Sequence, residues 1–162
     1  MSFSTSHGSP HHLLAGLVGG WTGLSSTWLE PGADPMQAPL QGSIQLVLDG
    51  RFALFLYQST MDSETQLGIF TFGFNTLLER YEASWIDSFH NNTAMMFCTG
   101  AELEDGFSVL GSYPDPTGGP DWGWRTEVHS PDPNHLAIIA YNLTPEGQEF
   151  KAVETLLTRI KK

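Results

Sequence analysis

Three stretches of this chain place chemically capable side chains on a common strand face. In 80–88, Tyr81, Ala83, Trp85 and Asp87 alternate with Glu82, Ser84, Ile86 and Ser88, and a strand sends alternate residues to opposite sides. Aromatic rings that end in a carboxylate can line a pocket with a polar anchor. The same pattern also describes a packed aromatic face whose aspartate caps a turn. In 122–129, Trp122, Trp124, Thr126 and Val128 alternate with Gly123, Arg125, Glu127 and His129. Parity sends the charged set to solvent. The functional alternative turns Arg125 inward, where its planar fork would hold a ligand carboxylate or pair with Asp87 or Glu154. Glu154 shares the Phe150 face with Ala152 and Leu156, and Tyr57 and Tyr141 put hydroxyls on mostly apolar runs. The candidate binding residues are therefore Tyr57, Trp85, Asp87, Trp124, Arg125, Tyr141 and Glu154. The aromatic members would supply contact area, and Arg125 with Asp87 or Glu154 would orient a polar end.

Other chemistries find little to stand on. His7, His11, His12, His90, His129 and His135 are scattered, and the one cysteine, Cys98, cannot build a thiolate cage. No metal or cofactor is expected on these grounds. A single lumenal histidine, His90 or His129, would be the only way to hold a haem. Ser84, Ser88 and Cys98 have no visible base and orienting partner, and neither a Gly-x-Ser-x-Gly elbow nor a phosphate-cradling glycine loop occurs.

The elements that must position these residues are strands. Leu13, Leu14, Leu17 and Val18 recur at helical spacing from Pro10, and Gly19-Gly20 closes a helix of about two turns. Strands are then expected at 21–29, 41–48, 51–61, 65–75, 80–88, 93–101, 107–113, 122–129, 135–143 and 149–160. Asp49-Gly50, Asp105-Gly106 and Pro145-Glu146-Gly147 mark turns. Three prolines in 31–39 argue against a central strand there. About ten short strands in sequence form an antiparallel meander, and closing it into an up-and-down β-barrel removes both open edges. Residues 1–9, rich in serine and glycine, read as a flexible N-terminus, and 10–162 as a single domain.

The totals agree with a globular fold. The chain has 162 residues, is 40% hydrophobic and 12% aromatic, and carries 7 basic against 18 acidic residues for a net charge of −11. That sign, without a basic stripe, excludes nucleic acid and anionic membranes as partners. No signal-peptide pattern or membrane-spanning run is present, so the Asn91 and Asn142 glycosylation matches are empty. With its lone cysteine, the chain reads as cytoplasmic and bacterial.

A set of motifs runs through the chain in order. His11-x-x-Leu14-x-x-Leu17-x-Gly19-x-Trp21 comes first, followed by Leu48-Asp49-Gly50-Arg51-Phe52, Gly68 and Gly73-Phe74-Asn75. Next come Tyr81-x-x-x-Trp85-Ile86-Asp87-Ser88 and Trp124-Arg125-Thr126. The last are Gly147-Gln148-Glu149-Phe150-Lys151 and Thr158-Arg159. Together they resemble a bacterial family with a lipocalin-like barrel, known as domain of unknown function 1579. The resemblance implies an all-β, lipocalin-like (calycin) barrel with a short N-terminal helix as its plug. It also implies that Arg159, returning on the last strand, stacks on Trp21. It implies no activity. The leading expectation is a non-catalytic barrel binding a small apolar or amphipathic molecule in its lumen. The rivals are a lumenal acid–base enzyme built on Asp87, Glu154 and Arg125, a haem-binding barrel, and a filled barrel serving as a scaffold or homodimer.

Overall fold

The structure, a computed structural model, describes residues 3–161. A seven-residue helix, α1 (Pro10–Gly16), precedes ten strands: β1 (Gly19–Thr27), β2 (Met36–Val47), β3 (Phe52–Met61), β4 (Glu64–Asn75), β5 (Arg80–Asp87), β6 (Met96–Leu103), β7 (Gly106–Tyr113), β8 (Trp122–Asp132), β9 (His135–Leu143) and β10 (Glu149–Arg159). Every strand pairs with its sequence neighbours, and β1 also pairs with β10, so the meander closes into a barrel. Closure leaves no unpaired strand edge.

The helix begins as its sequence dictates. Ser9 caps it by accepting from the His12 N–H at 3.2 Å, and Pro10 occupies the first turn, where no N–H is needed. Leu14 and Leu17 are fully buried against the barrel end. The helix stops two residues earlier than its apolar spacing suggested, because Val18 turns outward and Gly19, at φ 147°, already belongs to β1. Before it, Phe3 lies under the Arg51 guanidinium and 4.5 Å from the His11 ring.

Two strand boundaries differ from the expected ones for physical reasons. β2 begins at Met36 and runs through Pro39. Pro39 pairs with Leu24 of β1, and the ladder to β3 starts only at Leu40, so the proline stands just outside it and interrupts no ladder bond to β3. Between β2 and β3 the reversal takes four residues rather than two. Leu48, Asp49 and Gly50 all have positive φ, and Arg51 closes the turn onto the Leu48 carbonyl.

The floor of the barrel is built on Trp21. Its ring is fully buried, its indole N–H donates to the Leu17 carbonyl at 2.9 Å, and the Arg159 guanidinium lies 4.3 Å from the ring centre. Trp21 and Arg159 face each other across the β1–β10 ladder. Arg159 also donates to the carbonyls of Gly16, Val18 and Pro133. Above this floor Phe55, Phe72, Tyr81, Phe107 and Val128 pack the lumen solid, with Tyr81 stacked on Phe107 at 4.4 Å. Replacing Arg159 by methionine keeps the packing volume and removes both the cation and its fork. A loss of about 2–3 kcal/mol is expected in urea unfolding, with lysine recovering only part of it.

Candidate functional site

The lumen is hollow at the end away from the helix, where β3 and β5 finish and β4 begins. A cavity of about 60 Å³ lies there, lined mostly by apolar side chains. One wall is a run of stacked rings. Tyr57 stands 6.0 Å from Phe70, Phe70 5.3 Å from Trp85, and Trp85 5.3 Å from Trp124. The Trp85 indole N–H donates to the Tyr57 hydroxyl at 2.9 Å, which locks two members of the wall. Burial holds the Tyr57 phenol well above its ordinary pKa. The Asp87 charge adds to that rise and the Trp85 bond opposes it, and the phenol stays protonated.

The wall depends on two close approaches. Gly68 sits directly opposite Tyr57 in the β3–β4 ladder, and a methyl group there would overlap the tyrosine ring. At the top of β5, Asp87 turns its carboxylate onto the following loop. Oδ1 accepts from the backbone N–H groups of His90 at 2.8 Å and Asn91 at 2.6 Å, and Oδ2 lies 2.7 Å from His90 Nδ1. The aspartate is thus the clamp of the loop 88–95 that flanks the mouth, and it holds the His90 ring 5.3 Å from Trp85.

Of the seven sequence candidates, the structure brings Tyr57, Trp85, Asp87 and Trp124 together around this cavity. The other three stand on the outer wall, and the reading that placed them inside is corrected. Arg125 points away from the lumen, as strand parity required, because Trp124 and Thr126 on either side of it face inward. Its guanidinium covers the outward Tyr141 ring at 4.2 Å and bonds to Glu149 and Glu127. Glu154 is outside because of an irregularity in the β9–β10 register between Lys151 and Val153. A one-residue offset reverses every following side chain. Val153 and Thr155 therefore line the cavity, and Glu154 pairs with Lys151 at 2.6 Å. The acid–base cluster of Asp87, Glu154 and Arg125 is not assembled.

The histidines considered for haem also separate. His129 is on the outer wall near the opposite end, 2.7 Å from Asp105 and 3.2 Å from Glu127. Only His90 reaches the cavity, whose volume is far below the roughly 300–1,000 Å³ of ordinary ligand sites. Among the described residues no group of three or more His, Cys, Asp or Glu side chains is placed to hold a metal ion. No helix among them is long and apolar enough to cross a membrane.

Several lining residues went unnoticed in the sequence. Phe70 could have been found from its parity with Phe72 and Gly68. Met36, Ser59, Met61 and Gln66 carry no local signal, since only the ladder offsets bring them to the mouth. The Asp87-x-x-His90 spacing was a usable sign of the turn clamp.

Geometry thus defines the class: a closed ten-stranded antiparallel barrel, plugged by a helix at one end and hollow near the other. A family model described as Protein of unknown function (DUF1579) matches residues 6–159, and the chain belongs to that family. No curated protein matches the chain.

Two consequences are measurable. Gly68→Ala should displace Tyr57, break its bond to Trp85 and lower stability by about 1–3 kcal/mol, with a changed near-ultraviolet circular dichroism spectrum. For His129, burial pulls the pKa down, but the bonds to Asp105 and Glu127 outweigh it and the net shift is upward from 6.5. A raised folded pKa stabilises fully below the unfolded value and is lost as pH rises through the folded one. The stability gap between the protein and His129→Gln should therefore be widest below about pH 6.5 and shrink above it, in unfolding curves taken across that range.

Proposed function

We propose that this protein is a non-catalytic, lipocalin-like barrel that holds a small, largely apolar molecule at the open end of its lumen. One observation carries the reading. A barrel otherwise filled by its own side chains keeps an apolar cavity where four aromatic rings form a continuous wall. Filling the floor and sparing the mouth is the arrangement a binding site needs, whereas a purely structural barrel gains stability from packing both. Met36, Met61 and Leu67 border the cavity, and because about 60 Å³ is too small for an aromatic guest, the unbranched methionines must move aside to admit one.

Binding is favoured over catalysis because the one carboxylate at the cavity is consumed by the loop it clamps. Cys98 is buried, and burial pushes its thiol up to about 11. An inert, unpaired thiol suits a reducing cytoplasm. Thermal denaturation with a panel of small aromatic and aliphatic lipophiles, alongside native mass spectrometry of freshly purified protein, tests the reading. A ligand at about 100 times its Kd should stabilise by about 2.7 kcal/mol and shift the indole N–H resonances of Trp85 and Trp124. A protein that emerges empty and responds to no member of the panel would sink it.

A further inference from the structure

Two residues that line the cavity carry polar groups for which no described residue is a partner, and their chemistry, taken with the binding reading above, specifies the ligand's head. Trp124 is 6% exposed and lines the cavity, and its indole N–H is buried without an acceptor. A buried N–H left unpaired is costly, so it is a point of recognition for any acceptor that comes within reach. His90 supplies the complement. Its Nδ1 faces the Asp87 carboxylate at 2.7 Å, and an ionised carboxylate only accepts, so the ring proton sits on Nδ1. In the neutral ring Nε2 is then an acceptor, and no described residue donates to it. The two rings stand 5.8 Å apart between centres, with Trp85 stacked beside Trp124.

A head group serving both must donate and accept. A carboxylate only accepts, an ammonium only donates, and a hydroxyl does both. The electrostatics agree. No arginine or lysine lines the cavity, Asp87 is its one acidic side chain, and the chain carries a net charge of −11. An anion is disfavoured on each count. We infer that the site takes an uncharged planar molecule of the phenol class. Its hydroxyl donates to His90 Nε2 and accepts from Trp124 Nε1, and its ring lies on the Trp85–Trp124 wall.

Calorimetric and NMR titration of the whole protein with para-cresol, toluene and para-toluate tests the assignment. Para-cresol should bind about tenfold more tightly than toluene, the worth of its hydrogen bonds, and para-toluate more weakly than either. His90→Phe and Trp124→Phe should each bring the ratio of para-cresol to toluene affinity from about tenfold down towards one, whatever either does to toluene binding itself. The first keeps the backbone bonds to Asp87, and the second keeps an aromatic ring in the wall. Toluene binding as well as para-cresol, para-toluate binding best, or a preference that survives both substitutions would overturn the inference and leave the binding reading standing. Failure of all three compounds to bind would also overturn the inference, and the binding reading would then stand or fall on the lipophile panel and native mass spectrometry.

Discussion

The contact between Arg159 and Trp21 is the point on which the barrel's closure rests. A meander of ten strands has one seam that no hairpin makes, between β1 and β10, and these two residues face each other across it. The indole is fixed from below by the Leu17 carbonyl, so the ring is a rigid platform for the guanidinium. The guanidinium then bonds carbonyls from the end of α1, from Val18 and from the turn between β8 and β9. A planar fork can satisfy several carbonyls at once, which a lysine ammonium on the same stem cannot do in the same geometry. Cations also suit the carbonyl-rich end of a helix. One side chain therefore ties together the first strand, the last strand, the plug and a distant turn.

That floor decides where empty space can exist. With Trp21 below and Phe55, Phe72, Tyr81 and Phe107 above it, the lower lumen has no room for a guest. The arrangement is not free of strain, since the Tyr81 hydroxyl is buried without a partner, and burial with the Glu102 charge pushes it up to about 12. Upward from this layer the rings continue as Phe70, Trp85 and Trp124, but smaller residues such as Ala38, Ser59 and Ala140 line the same space. The cavity is the consequence of that change in side-chain size. Asp87 then fixes the loop at the mouth, so the rim is held by hydrogen bonds even though the space beside it is unfilled.

Strand periodicity made much of this legible. The order of strands follows from the turn signals and the closure from the removal of open edges, while alternation divides β5 and β8 into two faces, because a barrel wall has only two sides. Alternation also argued for Arg125 outside, and the ion pairs with Glu127 and Glu149 show what holds it there. It failed for Glu154, because the register irregularity after Lys151 leaves no mark in the residue types. The proline rule, rather than alternation, missed the start of β2, because Pro39 pairs with β1 and stands just before the first pair of the β2–β3 ladder. The partners of Asp87 lay within three and four residues of it and were visible as turn chemistry. What no local pattern showed was the meeting of Tyr57 with Trp85, which depends on the offsets of two successive ladders.

Charge placement gives the last constraint on what such a site can do. Eighteen acidic side chains against seven basic ones must sit somewhere. Those of the outer wall pair along β8 and β10, in the runs Glu149–Arg125–Glu127–His129 and Lys151–Glu154. The cavity instead has one aspartate whose oxygens are already bonded, and it is otherwise lined by aromatic, aliphatic and neutral polar groups. A buried charge with no counter-charge is expensive, so an ionic guest would find neither a partner nor water to replace its hydration. Neutral molecules face no such barrier. The outer wall can therefore carry the charge while the lining of the lumen stays almost neutral, and a change in one need not disturb the other.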